Sequence, residues 1–277
     1  MPKPTYSILT CVSDFDVYNN CVVKSFYNSK INKEDYELIP IDNRLSIYTA
    51  PQALNHGMTI AKADTIICCH QDISFLPGFF DEMKKSIDYV GEDWGIIGSA
   101  GRSLELDDLN KRPKHYVGIV YNGHPGQLDI NFDDKLVKAW DGRKDITEVY
   151  GVDECLFLIN KRHKLTFNNA INGFHFYGTD FVLSNRSAGY KVYASYLPII
   201  HHGAYSSSLK TKDNYWPLFR KLIDIWSTSY PNFYGTHFHW STSKDGREIS
   251  SYIPLESDYD SFKATTVITE FKERKND

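Results

Sequence analysis

The stretch that decides the fold is Thr65-Ile-Ile-Cys-Cys69, followed directly by His70-Gln71-Asp72. The first five residues form a short apolar run, which is typical of a strand buried on both faces. If the chain stays extended past Cys69, His70 and Asp72 lie on one side, because residues i and i+2 of a strand do. An imidazole and a carboxylate at one strand end form a two-ligand site for a divalent cation, and this pair suits Mn²⁺ better than Mg²⁺. Taken alone, the triplet is more typical of an ordinary strand end with a turn-forming Asp.

Outward from this stretch, strand and helix patterns alternate. The pattern predicts strands over 7–12, 36–42, 65–69 and 94–98, and helices over 15–28, 49–61 and 79–90. It favours an α/β fold with a mixed, mostly parallel sheet and helices on both faces. Ligands of such sheets bind beyond the carboxyl ends of the strands. Residues 101–150 are less regular and are predicted as a long loop or small hairpin. A strand at 148–159, a helix at 178–188, a strand at 190–196 and an amphipathic helix at 212–227 follow.

Composition excludes several classes of protein. The chain has 277 residues, a formal net charge of −4 and 14 % aromatic residues, which argue against a general nucleic-acid binder and against global disorder. The basic stretch at 111–115 is too short to change this. Five cysteines without a CxxC spacing argue against a disulfide framework and a zinc knuckle. With no signal-peptide pattern and no long apolar window, the sequence predicts a cytoplasmic protein.

Two later segments carry further chemistry. Asp180 lies near the start of the predicted helix that Gly189 closes, either as a helix cap or as a general base that faces the cleft. His201 and His202 follow an apolar strand and point to opposite faces, so at most one of them faces a site.

Together, these segments resemble the family 2 glycosyltransferases, which have the GT-A fold and use nucleotide-sugar donors. The resemblance runs from about Ser7 to His202 and is strongest to a bacterial subgroup linked to capsule or surface polysaccharide synthesis. His70-Gln71-Asp72 takes the place of the family's DxD motif, and the segment around Asp180 that of its Glu-Asp motif. Thr179 replaces the family's Glu, and Leu54 replaces a usual Arg.

The resemblance implies a role for each matched residue. A GT-A catalytic domain spans 1–205, with a nucleotide-binding half at about 1–100 and an acceptor half at about 101–205; a helical and aromatic extension spans 206–277. Asp180 is the implied catalytic base of an inverting transfer. The implied metal ligands for Mn²⁺ or Mg²⁺ are His70, Asp72 and His201 or His202. The implied donor-binding residues are Thr10, Cys11, Val12, Asp42, Asn43, Asn55, Gly57, Gln71 and Asp72, and the acceptor residues are Asp153 and Glu154.

The implied substrates are a nucleotide-sugar donor, with a UDP-sugar favoured, and a glycan or lipid-linked glycan acceptor. Peripheral contact with the inner face of the membrane and homo-oligomerisation stay open. Two alternatives also stay open: a nucleotide-sugar-binding protein without turnover, suggested by Thr179 and the altered metal motif, and a sugar nucleotidyltransferase, disfavoured by the lack of a Gly-rich phosphate loop near the first strand.

Overall fold

The computed structural model describes residues 3–105, 115–123, 137–203, 212–235, 238–242 and 248–252. The basic residues 111–114 and much of the predicted extension therefore lie outside the described residues. No described helix has the length and apolar character needed to cross a membrane.

The first hundred residues alternate strands and helices, as the pattern predicts. A π-type turn at Asn19–Val23 joins the first two helices. Gln52 accepts a hydrogen bond from the Thr49 backbone N–H at 2.9 Å, which fixes the start of the third helix. The elements are β1 (Tyr6–Val12), α1 (Phe15–Tyr18), α2 (Lys24–Asn28), β2 (Tyr36–Asp42), α3 (Ala50–Ile60), β3 (Thr65–Cys69), β4 (Ile73–Phe75), α4 (Phe79–Val90) and β5 (Trp94–Gly98).

The second half contains more strands than the sequence predicts. The stretch 101–150, expected to be a loop or hairpin, contributes parts of four strands, and the strand expected at 148–159 is two strands separated by a turn at residues 153–155. The helix closed by Gly189 (φ +86°) is confirmed. The elements are β6 (Ala100–Ser103), β7 (Tyr116–Asn122), β8 (Val137–Asp141), β9 (Thr147–Val152), β10 (Leu156–Asn160), α5 (Tyr177–Ser187), β11 (Lys191–Ala194) and β12 (Ile199–His201).

These strands form one mixed sheet in the order β2-β1-β3-β10-β5-β11-β9-β6-β7-β12-β4, with β8 beside β7. Parallel ladders join β1 to β2 and β3, β5 to β11, and β7 to β12. Antiparallel ladders complete the sheet. The α/β fold is confirmed.

Alternate residues of the strands pack on opposite faces of the sheet. On β3, Ile66 and Cys68 belong to the core beneath α3 and α5, whereas Ile67 and Cys69 belong to the core beneath α2 and α4. The sheet is therefore covered by helices on both sides, as predicted.

The C-terminal elements pack into the first of these cores. They are α6 (Lys212–Trp226) and a three-stranded antiparallel sheet of β13 (Asn232–Tyr234), β14 (Phe238–Thr242) and β15 (Glu248–Tyr252). Leu222 of α6 is fully buried in the same core as Leu9 of β1. The described part of 206–277 is therefore continuous with the main core.

Candidate active site

The triplet after β3 forms a turn, not the extended chain that the sequence predicts. The turn is held on three sides. The His70 N–H donates to the Cys155 carbonyl and the Asp72 carbonyl accepts from the His202 N–H, both at 2.9 Å. The side chain of Gln71 accepts from the backbone N–H groups of Ser13 and Asp14 at 2.8 and 3.0 Å. These bonds fix the direction of His70 and Asp72.

The pairing of β12 with β4 brings a second histidine to this turn. His201 lies opposite Ile73, next to Asp72 in the chain. Its Nε2 is 3.5 Å from Asp72 Oδ1, and its ring centroid is 5.4 Å from that of His70. The donor atoms of His70, Asp72 and His201 all lie within 4.8 Å of one another, a spacing at which they could hold one metal ion. We call these three residues the His-Asp-His cluster.

The charge of the cluster is set by its own members. Burial alone would raise the pKa of Asp72, but the two histidines outweigh it and lower that pKa to about 2. Burial would lower the pKa of His201, and Asp72 reverses this and raises it. Burial lowers the pKa of His70 despite the nearby charge of Asp72. The cluster thus keeps an ionised carboxylate between two imidazoles.

The two consecutive histidines do face opposite ways. His202 is 2 % exposed, and its Nε2 lies 2.9 Å from the Ser74 hydroxyl, away from the cluster. Gly203 packs directly against the cluster and leaves space for its side chains. A Cβ at this position would overlap Oδ2 of Asp72 and lie 2.9 Å from Nε2 of His201. Sequence reasoning missed Gly203.

The turn between β9 and β10 lies against this cluster. The charge of Asp153 raises the pKa of both His70 and His201, and its carboxylate accepts from the Cys155 N–H at 2.9 Å. Glu154 accepts from the Gly178 N–H at 3.0 Å and so holds the first turn of α5. Burial, and then the charge of Asp153, raise the pKa of Glu154 to about 8.

Asp180, the predicted base, lies in the first turn of α5 but does not cap that helix, whose N-cap residue is Phe176. Its side chain is 1 % exposed. Oδ1 accepts from the Trp226 indole N–H at 2.8 Å and from Asn168 at 3.5 Å. Burial raises the pKa of Asp180, although both bonds lower it.

Several of the predicted donor residues have side chains that are buried or already hydrogen-bonded within the fold. Thr10 and Val12 are fully buried in β1. Asn43 is 3 % exposed, and its side-chain amide both donates to and accepts from the backbone of Tyr48, at 3.0 and 2.9 Å. That amide is therefore committed to the loop after β2.

Asn55 and Gly57 on α3 are also committed to the fold. The Asn55 amide donates to the Phe167 carbonyl and accepts from the Phe167 N–H, both at 2.8 Å. A Cβ on Gly57 would overlap the side chain of Leu9, so this glycine permits close packing of α3 on β1. Donor binding by either residue stays a prediction.

Among the predicted donor residues, Asp42 is exposed, and four others are partly exposed: Cys11, Asn55, Gln71 and Asp72. Burial raises the pKa of Cys11 to about 11, so its thiol is neutral. Asp42, at the exposed end of β2, pairs with Arg44 at 2.6 Å, and this contact lowers the pKa of Asp42 to about 2.

Two aromatic residues contribute in ways the sequence does not show. Tyr177 is 5 % exposed and places its hydroxyl 3.0 Å from Nε2 of His70. Trp226 of α6, which carried no prediction, covers Asp180. The helical spacing of α6 gives no sign of this contact, since the partner lies 46 residues earlier.

With this geometry in place, the sequence can be compared with known proteins. Residues 7–219 match the model of the "Glycosyltransferase like family", which is more than half of the chain. The chain belongs to that family. It is also 25 % identical over 219 residues to a protein of Fuscovulum blasticum described as "ATP synthase subunits region ORF 6", covering 73 % of this chain and 81 % of that protein.

Two solved glycosyltransferase structures resemble this glycosyltransferase-like protein in fold. One is the mannosyltransferase PcManGT of Pyrobaculum calidifontis in complex with GDP-Man and Mn²⁺, with a TM-score of 0.51, 9 % identity and coverage of 81 % of this chain. The other is GalNAc-T7 with UDP, GalNAc and Mn²⁺, with a TM-score of 0.51, 10 % identity and coverage of 82 %. The likeness spans 65 % and 49 % of those two chains. It confirms the predicted GT-A fold.

Proposed function

We propose that this protein is a metal-dependent glycosyltransferase that moves a sugar from a nucleotide-diphosphate sugar to the hydroxyl of a glycan or lipid-linked glycan. The observation that carries the proposal is the His-Asp-His cluster, which lies beyond the carboxyl end of β3, where α/β sheets bind their ligands. Membership of the glycosyltransferase-like family supports the reaction class.

The cluster fits a divalent metal. Oδ1 of Asp72 is buried and faces Nε2 of His201 at 3.5 Å with no shorter hydrogen bond among the residues that the structure describes, so a metal could bind this oxygen. Two imidazoles and one carboxylate suit Mn²⁺ better than Mg²⁺, which prefers oxygen ligands. Both solved neighbours contain Mn²⁺. When bound, the metal would neutralise the diphosphate leaving group.

The chain's own residues would do the rest. Asp42, exposed at the end of β2, would accept hydrogen bonds from the ribose or base, and Gln71 and Cys11 lie on the same edge of the sheet. Asp153 and Glu154 would face the acceptor. Asp180 would take the acceptor proton, because burial raises its pKa and makes it a stronger base, and direct in-line attack would invert the anomeric centre.

The two solved neighbours bind GDP-Man and UDP, respectively. The donor of this protein could therefore carry either guanine or uracil as its base. A UDP-sugar is the first donor to test. The resemblance to the capsule subgroup supports a role in bacterial surface polysaccharide synthesis at the cytoplasmic face of the membrane. Peripheral membrane contact and self-association belong to the same proposal.

A second candidate is nucleotide-sugar binding without turnover. It is favoured by one observation: Trp226 covers Asp180 and leaves it 1 % exposed. A binding protein of this kind would hold the donor at the His-Asp-His cluster, while α6 keeps Asp180 inaccessible. Turnover measurements separate it from the transferase.

The test is thermal unfolding with UDP, GDP and their sugars, with and without Mn²⁺. At 100 times its Kd, a ligand adds about 2.7 kcal/mol to the free energy of unfolding. We expect a Mn²⁺-dependent shift with one nucleotide, which Asp72→Asn abolishes and Asp64→Asn retains, since Asp64 is an exposed carboxylate at the other end of β3, paired with Lys3. An equal shift in Asp72→Asn would contradict the proposal. Hydrolysis or transfer of the same donor then distinguishes the enzyme from the binding protein.

A further inference from the structure

Tyr177 stands between the His-Asp-His cluster and the first turn of α5. Its hydroxyl is 3.0 Å from Nε2 of His70 and donates to the carbonyl oxygen of Glu154 at 3.3 Å. The residue is 5 % exposed, so water does not compete freely for either bond. Both contacts therefore belong to one buried hydrogen-bond chain.

The direction of this chain follows from its end. A carbonyl oxygen only accepts, so for both contacts to be hydrogen bonds the single hydroxyl proton of Tyr177 must go to Glu154. The hydroxyl oxygen is then the acceptor for His70, and Nε2 of His70 must carry the proton. A neutral imidazole with its proton on Nε2 has its lone pair on Nδ1.

The end of the chain is itself fixed. The side chain of Glu154 accepts from the Gly178 N–H at 3.0 Å, and a Cβ on Gly178 would lie 2.7 Å from Cγ of Glu154. The same residue thus holds α5 by its side chain and the Tyr177 hydroxyl by its carbonyl. Tyr177 is therefore fixed at its backbone, as the first residue of α5, and at its hydroxyl group.

We infer that Tyr177 is a positioning residue that fixes the tautomer of His70, so that His70 presents Nδ1 to the metal. The inference rests on the proposed function and extends it to the ligand atom and to the residue that selects it. A hydrogen bond to the second nitrogen of a metal-binding histidine typically strengthens metal binding 10- to 100-fold. Tyr177 does not touch the substrate in this account.

The first experiment measures the His70 tautomer in metal-free wild-type protein by ¹⁵N NMR, with the His70 signals identified by their loss in His70→Gln. We expect protonated Nε2 and unprotonated Nδ1 at pH 8. Tyr177→Phe should give a mixture of tautomers. A wild-type His70 protonated on Nδ1 would overturn the inference, and this result does not depend on whether Tyr177→Phe folds.

The second experiment measures Mn²⁺ affinity by titration calorimetry. Tyr177→Phe should weaken binding at least tenfold, and Tyr36→Phe should not, because it also removes a buried tyrosine hydroxyl but at the start of β2, far along the strand from the cluster. Equal affinity and an unchanged His70 tautomer in Tyr177→Phe would overturn the inference. A wild-type protein that binds no Mn²⁺ would instead overturn the proposed function and the metal role of Tyr177 with it.

Discussion

Asp72 and Asp180 are both carboxylates with a buried oxygen that lacks a hydrogen-bond partner in the described part of the chain, yet their surroundings act in opposite directions. Asp72 faces two imidazoles, and its pKa falls to about 2 in spite of burial. Asp180 faces a neutral indole and a neutral amide, and burial raises its pKa. Burial raises the pKa of both carboxylates, and only the imidazole partners of Asp72 reverse that effect.

The difference assigns the two acids to different tasks. A carboxylate kept ionised between histidines is suited to hold a cation, and its side chain is 14 % exposed. A carboxylate with a raised pKa is suited to accept a proton, provided that the acceptor can reach it. The predictions below test each side of this contrast, from the largest expected effect to the smallest.

Asp180→Asn tests the proton-accepting side. The amide can still accept from Trp226, so we expect Mn²⁺ and nucleotide binding to persist while the transfer rate falls at least about 100-fold. The melting temperature at pH 7 should hold or rise, because the variant no longer buries a charge. Initial rates and thermal melts measure both effects. Full activity in this variant would move the role of base to another acid, with Asp153 the next candidate.

Gly203→Ala tests the cation-binding side. The added methyl group overlaps Oδ2 of Asp72, so the carboxylate must turn away from His201. We expect about a tenfold loss of Mn²⁺ affinity by calorimetry, comparable with the loss of a supporting contact at a metal site. Ser74→Ala is the matched control, because it removes the partner of His202 and leaves His201 alone. An equal loss of Mn²⁺ affinity in Gly203→Ala and Ser74→Ala would contradict a specific role of His201 in metal binding.

Glu154 lies in the turn between β9 and β10 and tests how burial of a carboxyl group changes stability. Its folded pKa, about 8, exceeds its ordinary value of 4.5, so the native state binds the proton more tightly than the unfolded chain does. Stability from this group is present below about pH 4.5 and is lost as the pH rises towards 8. The melting temperature should fall less steeply over this range in Glu154→Gln than in the wild type. Parallel slopes would contradict the shifted pKa.

The sequence predicts the parts of this molecule that depend on local pattern. The run Thr65–Cys69 and its neighbouring helices follow hydrophobic periodicity, which local residues determine. The strands within 101–150 were missed, because antiparallel strands there depend on partners far along the chain. The pairing of His201 with Asp72 was expected only from the family resemblance.

The predicted donor site shows a physical limit of prediction from sequence. Asn43 and Asn55 have the residue type that binds nucleotides, but their amides satisfy backbone groups of Tyr48 and Phe167. One of these partners is 112 residues away. Sequence shows which groups can form hydrogen bonds, and only the fold shows which are already used.

The most direct test of the central claim is a crystal structure with Mn²⁺ and UDP or GDP, recorded with anomalous diffraction at the manganese edge. The account predicts an anomalous peak within bonding distance of Asp72, His201 and Nδ1 of His70, with the diphosphate against it. A peak elsewhere, or a bound nucleotide with no metal at the His-Asp-His cluster, would contradict it.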